Sequence, residues 1–353
     1  MSRVKIAIIG VGNCASSLIQ GIHFYSENKC TDGLINPIIH GMKVSDIEVV
    51  AAFDVDEAKV GKDLSKAIFS SNNNAMKLTD IPFMDVIVTP APVLDGIGDN
   101  YSSRITNTVE ANRDDVFRAL KLSGAEVLVN YLPVGSREAT RFWADIALEA
   151  KCAFINCIPE FIASEPTYAS KFKAAGIPLL GDDIKSQFGA TLLHRIIVQH
   201  MELRGFTIDR TYQLNYGGNM DFYNMLDCER LTSKKISKRE AVKSIQKNPI
   251  ENKYVHIGPS GYIEWLEDNK WCYIHIIGRG FGGAPIKIET KLEVCDSPNS
   301  AGVVVDLVRI AKKALRNEIG GVLEDVCAFY MKSPPKSMDD DLALRMLNNW
   351  LKF

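Results

Sequence analysis

Over its first two hundred residues the chain alternates short apolar runs with longer amphipathic ones. Val4-Lys-Ile-Ala-Ile-Ile9 is apolar at nearly every position, the pattern of a strand covered on both faces of a parallel sheet. Residues 47–53, 84–88, 125–129, 152–156 and 177–180 repeat it, and Thr89-Pro-Ala-Pro-Val93 should break the third of these strands. Between them apolar positions recur at helical spacing. Helices are expected over 114–122, over 136–150 with Ser136 as cap, and from Thr191 to about Arg204. Strand and helix in alternation predict an α/β fold around a doubly wound parallel sheet.

The pattern changes after residue 204. Residues 211–216 alternate like a strand and end in Gly217-Gly-Asn-Met-Asp221, and 271–277, 286–290 and 292–294 are strand-like with few helices between them. A second α+β domain with a mixed sheet follows. A helix over 301–316, capped by Asn299 or Ser300, should return the chain to the first half, and Asp339-Asp-Asp341 should start a last helix. The expected division is 1–195, completed by 300–353, and 196–299.

Two turns carry chemistry. Gly10-Val-Gly12-Asn-Cys-Ala15 follows the first strand and opens a helix, so it has the form G-x-G-x-x-A. Gly10 permits the tight turn, Gly12 lets the backbone approach a pyrophosphate, and Ala15 allows close helix–strand packing. In this context the turn predicts Rossmann-like dinucleotide binding, with Gly10, Gly12, Asn13 and Cys14 at the cofactor. Asp54 ends the second strand, where a carboxylate suits a ribose diol and repels a 2′-phosphate, favouring NAD over NADP. Asp54 lies farther from the glycines than the usual ~20 residues; the excess, 24–45, reads as an inserted loop or lid. Asn130, Tyr131 and Asn156 end strands and are candidates for the nicotinamide side.

The second turn is Gly181-Asp-Asp-Ile-Lys-Ser-Gln-Phe-Gly-Ala-Thr191, set between a strand and a helix. Such a turn presents backbone N–H groups to an anion, and it would lie at the seam of a cofactor half and a substrate half. A solvated loop with a helix cap is the plain alternative.

With 353 residues the chain can bury a core without disulfides. The eight cysteines include no CxxC pair, and Cys152, Cys157 and Cys272 sit in apolar runs. Reduced, packed thiols in a cytoplasmic protein are therefore expected, not a disulfide framework or a structural zinc. A net charge of −2 argues against nucleic acid as partner. No apolar run is long enough to span a bilayer, and no signal-like segment opens the chain. His194 and His200 are not at metal spacing, and HExxH, Ser/His/Asp order and Walker A patterns are absent.

Lysines are the remaining signal. Leu231-Thr-Ser-Lys-Lys-Ile-Ser-Lys238 holds Lys234, Lys235 and Lys238, and Ser237 with Glu240 forms a capping box, so a helix should start near Lys238. Cations there oppose the helix dipole unless an oxyanion is held between them. A solvated basic loop remains open as the alternative. Lys270 and Lys332 carry no signal by spacing.

Together, Gly10-Val-Gly-Asn-Cys-Ala-Ser-Ser17, Asn130-Tyr-Leu-Pro-Val-Gly-Ser136, the 181–191 turn, Asn215-Tyr-Gly-Gly-Asn219, Thr232-Ser-Lys-Lys-Ile-Ser-Lys238, Asp296-Ser-Pro-Asn-Ser-Ala-Gly302 and Met331-Lys-Ser-Pro-Pro335 resemble the myo-inositol-1-phosphate synthase family, in its shorter prokaryotic branch, over nearly the whole chain. The resemblance implies an isomerase of the intramolecular lyase class, which converts D-glucose 6-phosphate to 1D-myo-inositol 3-phosphate. It implies oxidation at C5 by NAD, enolisation by loss of a C6 proton, aldol attack of C6 on C1, and return of the hydride. Lys234, Lys238, Lys270 and Lys332 match the family's active-site lysines, and Asp268 and Asp296 match acidic positions that orient them. Ser186, Gln187, Gly189 and Thr191, with Asn215 and Asn219, correspond to the substrate-phosphate site. Asp54, Ala111, Tyr131, Ser186, Asp221 and Lys234 correspond to further NAD contacts. Ser186-Gln-Phe-Gly189 and Glu267-Asp-Asn-Lys270 depart from the eukaryotic branch, where the turn reads Ser-Gly-Gln-Thr. The resemblance also implies a homotetramer built by the middle domain. Members differ over a metal or monovalent cation, and no pattern here selects one. Two other functions stay open on the residues: an NAD-dependent sugar-phosphate dehydrogenase with net turnover, and a non-catalytic NAD-binding protein.

Overall fold

The computed structural model describes residues 3–28, 30–70, 73–105, 111–226 and 250–352. Its strands in chain order are β1 Val4–Ile9, β2 Ile47–Asp54, β3 Val88–Pro90, β4 Val127–Asn130, β5 Ala153–Asn156, β6 Pro178–Leu180, β7 Thr207–Gly217, β8 Val255–Tyr262, β9 Asn269–Arg279, β10 Pro285–Cys295 and β11 Gly321–Val322. Seven of them form a parallel sheet in the order β11-β6-β5-β4-β1-β2-β3. Alternate side chains of β1 feed two cores. Val4, Ile6 and Ile8 join the cluster under the Asn13–Glu27 and Asp296–Arg316 helices, whereas Ala7 and Ile9 join the one built on Trp143 of the Arg137–Ala150 helix. That two-sided burial is why the run is apolar throughout. The strand order reverses between β1 and β4, which opens a crevice at their carboxyl ends.

The other sheet is mixed, in the order β10-β9-β7-β8. β7 runs antiparallel to β9 and parallel to β8. The Asp296–Arg316 helix leaves β10 directly and runs beneath the parallel sheet, so one element carries the chain from the second sheet back to the first.

Several expectations shift. The third strand starts at Val88, not 84, and includes Pro90. The amides of Met84 and Val86 are taken by the Asp63 carboxylate, and β3 is an edge strand where proline is tolerated. Residues 286–290 and 292–294 belong to one strand, β10, paired with β9 in unbroken register. β8 is not foreseen, because Gly258, Pro259 and Gly261 mask its pattern; it too lies at an edge. The helix expected from 301 starts at Asp296, because Pro298 sits in its first turn, where no intrahelical N–H is needed. Ser136 makes no side-chain cap. Asp95 accepts from the amides of Glu138 and Ala139 instead, at 2.7 and 2.9 Å.

The described residues of the 24–45 segment are tied to the fold at both ends. The first of them finish the Asn13–Glu27 helix, and the Arg309 guanidinium donates to the carbonyls of Asn36, Pro37 and Met42. Arg309 is itself fully buried against Asp306. Cys152, Cys157 and Cys272 are buried free thiols. Among the described residues no helix is long and apolar enough to cross a membrane.

Candidate active site

The glycine turn leaves β1 with Gly10 at φ +86°, and a Cβ there would lie 2.8 Å from the Tyr131 carbonyl oxygen. A side chain is therefore excluded twice, by conformation and by contact. A Cβ at Gly12 would meet no atom within 4 Å. Gly12 caps the Asn13–Glu27 helix without a side chain, so the first amides of that helix keep an open cradle in front of them.

Asp54 faces this turn. Its carboxylate accepts from Val11 N at 2.6 Å, Val55 N at 2.7 Å and Asp56 N at 2.9 Å, so it also braces the glycine turn. Tyr131 follows β4, and its hydroxyl is buried without a hydrogen-bond partner among the described residues. Burial holds that phenol well above its ordinary pKa. Ala111 is half-buried against the Trp143 core cluster.

Asp268 ties the glycine turn to the second sheet. Its Oδ1 accepts from Asn13 Nδ2 at 3.0 Å, Asn219 Nδ2 at 3.2 Å and Ser297 Oγ at 2.7 Å, and its Oδ2 from Ser297 N at 3.2 Å. Burial and then the nearby Asp296 raise its pKa, against those hydrogen bonds. Among the described residues the partners of Asp268 are amides, the Ser297 hydroxyl and the Cys295 thiol; two of the lysines it was expected to orient, Lys234 and Lys238, lie outside the described residues. Asn74 completes the link, donating to Asn13 Oδ1 and to Gly218 O. Cys14 sits beside this cluster, and burial, then Asp268, Asp296 and Asp221, push its thiol up to about 12.

Two lysines each meet a carboxylate. Lys270 Nζ is 3.1 Å from Asp296 Oδ1. Burial works against the charge on Lys270, but Asp296 and then Asp221 outweigh it and hold the ammonium above its ordinary pKa. Lys332 Nζ is 2.8 Å from Asp183 Oδ1, and Lys332 N donates to the Asp183 carbonyl. Asp183 has φ +59°, a left-handed conformation that Asp tolerates.

The 181–191 turn is held from below. Asp182 is fully buried and accepts from the amides of Ile162, Ala163 and Ser164 and from Asn156 Nδ2. Burial nevertheless lifts it to about 6. Asn130 donates to Asn156, which donates to Asp182, so a buried polar chain joins the ends of β4, β5 and β6. Asn130 and Asn156 are thereby corrected as nicotinamide candidates; their side chains are spent within the fold, Asn130 on Asn156 and Leu132 N, and Asn156 on Glu160 O and Asp182. Lys185 reaches Asp340 Oδ1 at 3.2 Å, and Arg195 Nε reaches Asp340 Oδ2 at 2.8 Å. Burial lowers Lys185 to about 8.

Ser186, Gly189, Thr191 and Asn215 border a small recess together with Lys185, Lys270 and Lys332. Ser186, Lys270 and Lys332 also border a cleft of about 190 Å³ with Gly12, Asn13, Cys14, Tyr131, Asn219 and Asp221. Gln187 is turned away: its amide donates to Asn299 O, its Nε2 to Gly33 O, and a Cβ at Gly302 would overlap its carboxamide. Asn215 spends its carboxamide on Gly258 O and Gln213 Nε2, and Asn219 caps the Met220–Asn224 helix through Phe222 N. Lys234, Lys238 and the Ser237–Glu240 box lie outside the described residues. Among the described residues no group of three or more His, Cys, Asp or Glu could hold a metal.

Asp183, Lys185 and Ser297 are assigned no role by the sequence, although all three lie inside quoted motifs. Their partners, Lys332, Asp340 and Asp268, are far away along the chain, so local spacing gives no sign of them.

The family described as myo-inositol-1-phosphate synthase matches residues 189–297. The inositol-3-phosphate synthase of Mycolicibacterium smegmatis is 52% identical over 99% of this chain and 98% of its own length. The Mycobacterium tuberculosis enzyme of the same name is 51% identical, over 99% and 96%. Among solved structures, that of Ari2 superposes with a TM-score of 0.81 at 32% identity, covering 99% of both chains.

Proposed function

The chain belongs to the myo-inositol-1-phosphate synthase family and is an isomerase that makes inositol 3-phosphate, and we propose that it does so from D-glucose 6-phosphate with NAD held at the glycine turn. The carrying observation is that two ammonium groups, each anchored by its own carboxylate, border the same cleft as Gly12 and Asn13. The residues suit the dinucleotide: Gly12 faces open space, and the buried Tyr131 hydroxyl lacks a partner among the described residues. Gly10, Gly12, Asn13, Cys14, Asp54, Tyr131, Ser186 and Asp221 are the described residues we assign to it, with Ala111 beside the adenosine end and Lys234 as a further contact. When bound, NAD takes up the C5 hydride and later gives it back.

The chain's own groups then handle charge on oxygen. Loss of the C6 proton from the 5-keto sugar leaves negative charge on O5, and attack of C6 on the C1 aldehyde moves it to O1. Lys270 and Lys332 stabilise such oxyanions from fixed positions, the kind of preorganised charge that lowers barriers most. Asp296 and Asp183 hold them there, so little reorientation is needed during reaction. Lys270, ion-paired with Asp296, meets the substrate as a cation. Lys234 and Lys238 complete the lysine set by the resemblance. Ser186, Gly189 and Thr191, at the uncapped start of the Ala190–Leu203 helix, bind the substrate phosphate. Asp268, Asn215 and Asn219 act through the residues they position, and Gln187 through its bracing of the 296–316 helix.

We divide the chain into a cofactor unit, 1–195 with 300–353, and a catalytic and oligomerisation unit, 196–299. Tyr212, Tyr216, Trp271, Tyr273 and His275 share the outer face of the mixed sheet, none of them fully buried. That aromatic face supports a homotetramer, which light scattering would test. The free thiols support a cytoplasmic setting.

The decisive experiment supplies glucose 6-phosphate with a catalytic trace of NAD and follows phosphorus and carbon NMR. Inositol phosphate in excess of the NAD supplied is the expected result. Product limited to the NAD supplied, with matching NADH, would mean a dehydrogenase.

A further inference from the structure

Beyond the glycine turn, Lys59 is an ammonium the reaction does not account for. Its side chain is 8% exposed, yet its nearest carboxylate oxygens, Asp54 Oδ2 at 3.8 Å and Asp56 Oδ2 at 3.7 Å, both lie beyond hydrogen-bond length. Both carboxylates are engaged elsewhere, Asp54 with the amides of Val11, Val55 and Asp56 and Asp56 with Ala58 N. They supply charge to Lys59 without filling its three donors, which among the described residues find no hydrogen-bond acceptor, and a buried ammonium is stable only when paired and hydrogen-bonded.

The backbone aims Lys59 at the cleft. Lys59 N and Val60 N donate to Asp56 O, Gly61 N donates to Val88 O and Val88 N to Lys62 O, so the 56–62 turn is clipped to β3 and cannot swing outward. Lys59 borders the part of the crevice that holds Gly10, Gly12 and Asp54, and also the part that holds Gly12, Asn13 and Tyr131. Gly12 and Tyr131 are likewise common to both parts. The junction beside Gly12 is where a dinucleotide crossing from the Asp54 end to the Tyr131 end places its pyrophosphate.

Resting on the reading of this crevice as the NAD site, we propose that Lys59 is a cofactor-binding residue whose ammonium hydrogen-bonds the dinucleotide's pyrophosphate. Asp54 and Asp56 hold it in place in the free enzyme, so its ion pairs preorganise the donor and keep an unliganded cation tolerable in a buried position.

Calorimetric titration of the full-length protein tests this without turnover. Lys59→Met should weaken both NAD and ADP-ribose by about tenfold or more, the worth of a hydrogen bond to a charged group. It should also flatten the dependence of NAD affinity on salt. Lys59→Arg should keep most of the affinity and the salt dependence, which a purely structural role would not predict. Unchanged affinity in Lys59→Met, or an equal loss in Lys59→Arg with the salt dependence intact, would overturn the proposal. A loss confined to NADP would overturn it in favour of 2′-phosphate recognition. If the unmodified protein binds neither NAD nor ADP-ribose, the NAD reading itself falls, an outcome distinct from the others.

Discussion

The turns after β1 and after β6 both join a parallel strand to a helix, and they are built on opposite plans. After β1 the turn discards side chains: Gly10 and Gly12 expose backbone, and the helix begins without a cap. After β6 nearly every polar group is engaged. Asp182 takes four donors, Asp183 holds Lys332, and Lys185 holds Asp340. An open turn suits a ligand that brings its own charge and shape. A saturated turn suits the placing of a cation, since every satisfied bond removes a way for it to move.

Loss of the cation itself should have the largest consequence. Lys332→Ala should lower product formation by about a hundredfold or more while NAD binding persists; turnover close to normal would remove Lys332 from the chemistry. Next comes the support beneath it. Asp182→Ala strands the buried amides of Ile162 and Ala163, the half-buried amide of Ser164 and the Asn156 carboxamide, and should destabilise the fold by about 3 kcal/mol or more, read as a shifted denaturant midpoint. A midpoint within error of the native one would show that the saturated turn is dispensable.

The open turn should respond differently. Gly10→Ala combines a left-handed φ with a backbone contact, and we expect a stability loss of about 1–3 kcal/mol together with weaker NAD binding. Asp54→Ala should be milder still, weakening NAD and shifting preference toward NADP by about tenfold. A titration with unchanged preference would reduce Asp54 to a brace for Val11.

Acid titration sharpens the contrast between buried groups. His194, fully buried on the Ala190–Leu203 helix, is lowered by burial to about 4, against a hydrogen bond with Gln213. As pH falls below 6.5 the unfolded chain takes a proton that the fold refuses, so this stability is lost down to about pH 4. Asp182 has the opposite sign. Raised to about 6, its burial cost is present above that pH and fades as pH falls toward 3.8. His194→Gln should therefore hold its thermal midpoint better than the native protein between pH 6.5 and 4; an equal decline would dissociate His194 from acid sensitivity.

Legibility follows the range of the interactions. Continuous apolar runs and helical spacing are local, so most of the parallel strands and the helices that follow them are readable in the chain, whereas the two-residue β11 is not. Elements set by tertiary partners are not: β3 begins late because Asp63 captures the amides before it, and the Arg137–Ala150 helix is capped by Asp95 and not by Ser136. The same holds in the site. Gly10 and Gly12 are visible because glycine is itself the functional feature, whereas Lys59 and Lys185 look like any surface lysine in sequence and are buried in the fold.

By itself, then, the chain's sequence determines the α/β alternation, the glycine turn and the motif set by which its family is recognised, since each rests on residues within a few positions of one another. The tertiary structure alone decides which carboxylate meets which lysine, that Gln187 faces away from the recess, and that Asp268 gathers Asn13, Asn219 and Ser297 from three separate stretches of chain. Asp183 and Lys332 are 149 residues apart. Their pairing exists only because residues 182–184, just after β6, and the strand-like residues at 331–333 are brought edge to edge, through Ile184 with Met331 and Asp182 with Ser333, and charge–charge attraction acts through that closeness in space, to which separation along the chain is blind.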